Sequence, residues 1–133
     1  MNVFSSPRFL RNVLWADAVS CAATGALQLA AAGWLAQVLG LPGELLLASG
    51  GLLVGVVLLA SWLATREPVP RAPLWVLIAG NWLWVAGCLG LLFTGAATTT
   101  LGQAYLVLQA VAVIVLAELE WMGLRRYPVT GWA

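Results

Sequence analysis

LLLASGGLLVGVVLLASWLA, residues 45–64, runs for twenty residues without a charge. That length matches the roughly 20 residues an α-helix needs to cross a hydrocarbon core about 30 Å thick. Reading outward, charges and prolines set off three further apolar stretches, at about residues 13–39, 74–94 and 101–124. All are too long and too evenly apolar to be the alternating strands of a membrane barrel. In lipid, moreover, a lone spanning segment satisfies its backbone only as a helix. With 62% hydrophobic residues and 8% charged, the 133-residue chain has too few charges to cover a water-facing surface. The predicted fold is all-α, one domain over residues 1–133: an integral membrane bundle of four antiparallel transmembrane helices.

The connections carry their own punctuation. Pro42 and Glu44 suit the start of the second helix, where a proline lacks no needed donor and a carboxylate meets the positive end of the dipole. Residues 65–73 hold three prolines with Arg66, Glu67 and Arg71, and this segment breaks the helical pattern. Thr98, Thr99 and Thr100 can cap the fourth helix. The segments before Arg8 and after Tyr127 read as short tails.

All six basic residues are arginines. Arg8 and Arg11 precede the first stretch, Arg66 and Arg71 separate the second from the third, and Arg125 and Arg126 follow the fourth. Positive residues near helix ends stay on the cytoplasmic side, so both termini are expected inside the cell. Trp15, Trp62, Trp75 and Trp121 fall near the same helix ends, where indole rings favour the lipid–water interface. Trp34 and Tyr105 mark the opposite side. Arg8 and Arg11 ahead of an apolar run ending at Cys21 also suit a cleaved lipoprotein signal, but Asp17 interrupts that run and hydrophobicity continues beyond Cys21. Retention of the first helix is expected.

Ionisable groups inside a span cost about 2.5–3.5 kcal/mol even on lenient scales, which singles out Asp17, Glu118 and Glu120. Helical rise places all three at similar depth in the half nearest the arginines, with Asn81 within reach about one turn deeper. On the first helix Asp17, Ser20, Cys21, Thr24 and Gln28 recur at three- and four-residue steps, forming a polar stripe that should face protein. Glu120 shares a face with Gln109, whereas Glu118 points about 200° away from Glu120. One glutamate is thus expected in the bundle and the other at the interface or against a second copy. Trp84 lies near Asn81 and, with Trp82, forms a candidate aromatic wall; the bland reading of both rings is core filling. The candidate ligand-binding set is Asp17, Asn81, Trp84, Glu118 and Glu120.

Gly51 and Gly55, with Gly80 and Gly87, are candidate close-packing positions between helices. Cys21 and Cys88 lack metal-ligand spacing, and the chain has no histidine, so neither a catalytic centre, a metal nor a cofactor is expected. The net charge of +1 gives no basic patch for nucleic acid.

RNVLWAD at 11–17, NWLW at 81–84 and AELEWMGLRR at 117–126 resemble an uncharacterised family of small four-helix bacterial inner-membrane proteins. The resemblance spans nearly the whole chain and implies a location in the bacterial inner membrane, with no activity attached. In size, helix number and a carboxylate on helix one the chain is also similar to small multidrug resistance transporters. Its proline-rich second connection and paired glutamates on helix four depart from that pattern. The leading functional expectation is a non-enzymatic structural or accessory membrane protein, surrounded by lipid and a candidate for homo-oligomers or a larger membrane complex. The alternative is a proton- or cation-coupled transporter, or a binder of a lipid, quinone or lipophilic cation, that uses the intramembrane carboxylates.

Overall fold

The computed structural model describes residues 7–66 and 69–126; Glu67 and the two tails lie outside the described residues. Within them run α1 (Pro7–Ala30), α2 (Ala32–Leu39), α3 (Gly43–Ala64), α4 (Arg71–Phe93) and α5 (Thr100–Arg126). Four of these, α1, α3, α4 and α5, are long and apolar enough to cross a membrane.

The stretch expected as one helix over 13–39 is two. It starts at Pro7, so Arg8 and Arg11 sit inside the first turns of α1 rather than ahead of it. An apolar-run reading misses these turns because Arg8, Arg11 and Asn12 interrupt the run around Phe9 and Leu10. The second difference is a break at Ala31 (φ −127°, ψ 31°). Ala31 N–H still bonds Leu27 O and Leu35 N–H bonds Ala31 O, but the bonds that would tie Ala32, Gly33 and Trp34 to residues 28–30 are missing. Three successive alanines are strong helix formers, so packing imposes the bend. It swings Leu35 and Leu39 into a buried cluster with Leu41, Leu46, Val85 and Leu106.

The remaining ends follow their punctuation. Gly40 ends α2 in the left-handed region (φ 65°), and its carbonyl accepts from Thr98 N–H at 3.3 Å. Pro42 immediately precedes α3, and Glu44 lies in its first turn. Pro73 is accommodated in the first turn of α4, where its missing N–H would have been unpaired. Thr99 caps α5: its hydroxyl accepts from Gly102 N–H at 3.0 Å and donates to Val38 O at 2.8 Å.

Helix α1 packs mainly on α3 and α4 mainly on α5, giving two pairs that join along α1 and α5. The backbones of α1 and α4 do not approach, which puts them on a diagonal of the bundle. Two apolar clusters divide the interior. One, at the end holding the start of α1, the α3–α4 connection and the end of α5, contains Leu10, Leu14, Leu63, Leu74, Leu77 and Leu124. We call this the terminal end. The other lies at the turn end, beneath the α2–α3 and α4–α5 connections. Large side chains such as Leu52, Leu83 and Phe93 point outward and are 68%, 73% and 87% exposed, the arrangement expected where lipid is the solvent. Arg66 stacks over Trp62 and Arg125 over Trp121, each 4.9 Å from the ring centre, and both pairs lie at the terminal end.

The glycines that permit close packing are not those expected. A Cβ on Gly51, Gly55, Gly80 or Gly87 would meet nothing within 4 Å: Gly51, Gly55 and Gly87 face outward, and Gly80 borders the open space of a cavity. Spacing alone marks small residues without saying which side of a helix faces a neighbour. The close contacts run instead through Gly25 and Gly50, where α1 meets α3, and through Gly102, where a Cβ would collide with the Leu39 carbonyl oxygen. Gly102→Ala should therefore lower stability by about 2–3 kcal/mol, the cost of overpacking against backbone that cannot yield. Gly51→Ala should stay within about 0.5 kcal/mol of the parent. Thermal unfolding in detergent, followed by circular dichroism, measures both.

Candidate functional site

Among the described residues the buried polar side chains are Asp17, Gln28, Asn81 and Glu120. Three of them meet. Asp17 on α1 is 1% exposed, Asn81 on α4 is 5% and Glu120 on α5 is 0%. Asn81 Nδ2 donates to Asp17 Oδ2 at 2.9 Å and to Glu120 Oε1 at 2.7 Å. An amide nitrogen carries two hydrogens, so both are used, one for each carboxyl group. The Cys21 thiol, one turn along α1, donates to Asp17 Oδ1 at 3.3 Å. Because both bond the same nitrogen, the two carboxyl groups are close neighbours. Glu120 Oε2 is left buried with no partner.

The helical period explains this convergence. Asp17, Cys21, Thr24 and Gln28 repeat at intervals of four, three and four residues, so a single face of α1 carries them inward. Ser20 stands at the edge of the stripe: it is exposed and donates to the Ala16 carbonyl at 2.7 Å, yet it borders the same cavity as Asp17, Cys21 and Thr24. The split expected between the glutamates is present: Glu120 is buried and Glu118 exposed. Glu118 therefore does not join the carboxyl group and amide it was grouped with. Trp82, with core filling as its bland reading, is also exposed.

A cavity of about 80 Å³ adjoins the group, bordered by Asp17, Cys21 and Asn81 together with Thr24, Trp84 and Gln109. Roughly 10–15 Å³ suffices for one water, so the space has room for several. Drug-sized ligands occupy about 300–1,000 Å³, far more than this. All four spanning helices contribute to its wall, α3 through Leu53 and Val56. Trp84 Nε1–H donates to Gln109 Oε1 at 2.9 Å, which fixes the indole at the cavity edge.

Farther toward the turn end lies a second polar group. Gln28 Nε2 donates to Ser49 Oγ at 2.8 Å and to Leu46 O at 3.0 Å, while the Tyr105 hydroxyl donates to Gln28 Oε1 at 2.6 Å. Tyr105 reads from sequence as an interfacial marker, yet its hydroxyl reaches into the bundle. Ser49 went unnoticed because a lone serine in an apolar helix carries no signal beyond its hydroxyl. Cys21 and Cys88 are both free and buried; Cys88 belongs to the turn-end cluster.

Long apolar helices around a buried polar layer define the class: a multi-pass α-helical membrane protein. No family model, curated protein or solved structure matches the chain.

Asn81→Leu removes both bonds at once and leaves two buried carboxyl groups without their shared donor. Stability should fall by about 3–5 kcal/mol, as when one member of a buried charged network is deleted. Glu118→Gln, on the exposed face, should change it by less than about 0.5 kcal/mol. Denaturant titration in mixed micelles compares the two.

Proposed function

We propose that this chain is a non-enzymatic protein of the bacterial inner membrane that binds and exchanges a proton or small cation at the Asp17–Glu120 pair. The observation that carries the reading is Glu120 Oε2, buried and unpartnered, on a carboxyl group that shares the Asn81 amide with a second buried carboxyl group. Two adjacent carboxylates cannot both remain charged at low dielectric. A single proton held between them satisfies the orphaned oxygen and leaves the pair with one negative charge. That charge faces a cavity that holds a few waters or a small cation. A cation arriving there takes the place of the proton, and its departure returns the site to the protonated state. Trp84 and Gln109 line the same wall, an indole and an amide oxygen of the kinds that attract a cation.

A second reading is favoured by the bonds themselves. Asn81 links helices that the backbone leaves on a diagonal, so the layer also suits a purely structural clamp in an accessory subunit. Proteoliposomes separate the two. With a potassium diffusion potential and an internal pH dye, the acid-pair reading expects proton entry well above that of empty vesicles. Asp17→Asn and Glu120→Gln should each reduce it at least tenfold, and Glu118→Gln should leave it unchanged. Wild-type vesicles as tight as empty ones would sink the proposal and leave the clamp.

For orientation, the arginines gathered at the terminal end support termini in the cytoplasm. Alkaline phosphatase fused after residue 133 should accordingly be inactive in cells, and an active fusion would reverse the assignment.

A further inference from the structure

If the acid pair exchanges protons or cations, water must supply them; the exposed Ser20 and Gly80 at the cavity edge face lipid, which leaves the two ends of the bundle, and these differ. Toward the terminal end the interior beyond Asp17 is a leucine core: Leu10, Leu14, Leu63 and Leu74 are 0% exposed. Every buried polar side chain among the described residues lies at the acid pair or on its turn side. On that side α1 continues its polar face from Asp17 through Cys21 and Thr24 to Gln28, about 16 Å by helical rise. The cavity fills the first part of this interval, and the Gln28–Tyr105–Ser49 group closes the rest.

We propose that the acid pair communicates with water through the turn end, and that Gln28, Tyr105 and Ser49 form the seal of that path. This inference rests on the acid-pair reading and adds the route. The seal is polar and fully bonded, so breaking it exposes groups that water satisfies. Both ends carry an apolar cluster, but at the terminal end it begins directly beyond Asp17, whereas on the turn side the cavity and the Gln28 group come first and give water polar partners. What lies over the seal is α2, eight residues beyond a break in the helical ladder. Its Leu35 and Leu39 belong to the turn-end cluster, and its end is held by Thr99 on Val38 O and Thr98 on Gly40 O. Tyr105 holds Gln28 Oε1 by its single hydroxyl; without that donor the amide oxygen needs water.

Cys21 borders the cavity and serves as a native probe once Cys88 is replaced by serine. Sealed vesicles are treated from outside with methanethiosulfonate ethylammonium, a small charged thiol reagent, and modification is read by intact mass. Single cysteines at Thr100 (turn end) and Ala72 (terminal end), in a chain lacking Cys21 and Cys88, report which end faces the reagent. We expect Cys21 to react from the turn end only, about tenfold faster in Tyr105→Phe and in Gln28→Ala. Tyr105→Phe keeps the ring and guards against misfolding of the second variant. Reaction from the terminal end, or a turn-end rate that neither variant changes, overturns the route. Proton entry that survives such a result keeps the acid-pair reading while this inference falls. Loss of proton entry with turn-end labelling intact keeps the route and removes the acid pair's role.

Discussion

The amide of Asn81 is the constraint on which the bundle interior depends. Between helices immersed in hydrocarbon there is no hydrophobic drive to associate, since lipid is as apolar as leucine. Close packing and polar bonds must do it. Helices α1 and α3 approach through Gly25 and Gly50, and α4 lies along α5. Between the pairs, Asn81 reaches across the diagonal to Asp17 and sideways to Glu120. One side chain thus sets the register of three helices at a single depth, because each carboxyl oxygen must come within about 3 Å of the same nitrogen. Any slip of α1 against α4 would strand a carboxyl group in oil.

The interior is consequently layered. A leucine core fills the terminal end, followed by the acid pair, the cavity, the Gln28 group and a second apolar cluster at the turns. Apolar clusters above and below set the polar layers apart from bulk water, so electrostatic interactions within them are screened weakly and depend strongly on the nearest groups. An exposed residue such as Glu118, at nearly the same depth by sequence, escapes that environment by facing outward. Two residues along α5 separate a carboxyl group buried in the bundle from one on its outer face.

Much of this was legible in the chain itself. Four spans, their connections and the caps at Pro42 and Thr99 followed from length, composition and turn chemistry, because a bilayer leaves a helix few alternatives. Asp17, Asn81 and Glu120 could be grouped by depth, since carboxyl groups are conspicuous among so many leucines and helical rise is fixed. Direction around the axis was harder. The opposed glutamates could be deduced because the angle between two positions on one helix is geometry. Whether Gly51 or Gly50 faces α1 depends on how α3 is rotated, and no pattern declares that when apolar residues surround the helix. The bend at Ala31 was hidden for a similar reason: its cause is the burial of Leu35 and Leu39 against distant residues, within a local sequence that favours straight helix.

That bend also fixes a height. Where the ladder lapses, the backbone groups it no longer joins would be prohibitively costly in hydrocarbon, so Ala31 belongs at the level of the lipid headgroups. The 24 residues of α1 below it extend about 36 Å by helical rise, enough for a typical core plus the arginine-bearing first turns. Helix α1 thereby acts as a ruler laid across the bilayer, with α2 folded over at its end as the tab. A thicker membrane would draw the tab toward oil and a thinner one toward water, a mismatch that tilting of the bundle or local thinning of the bilayer offsets at modest cost.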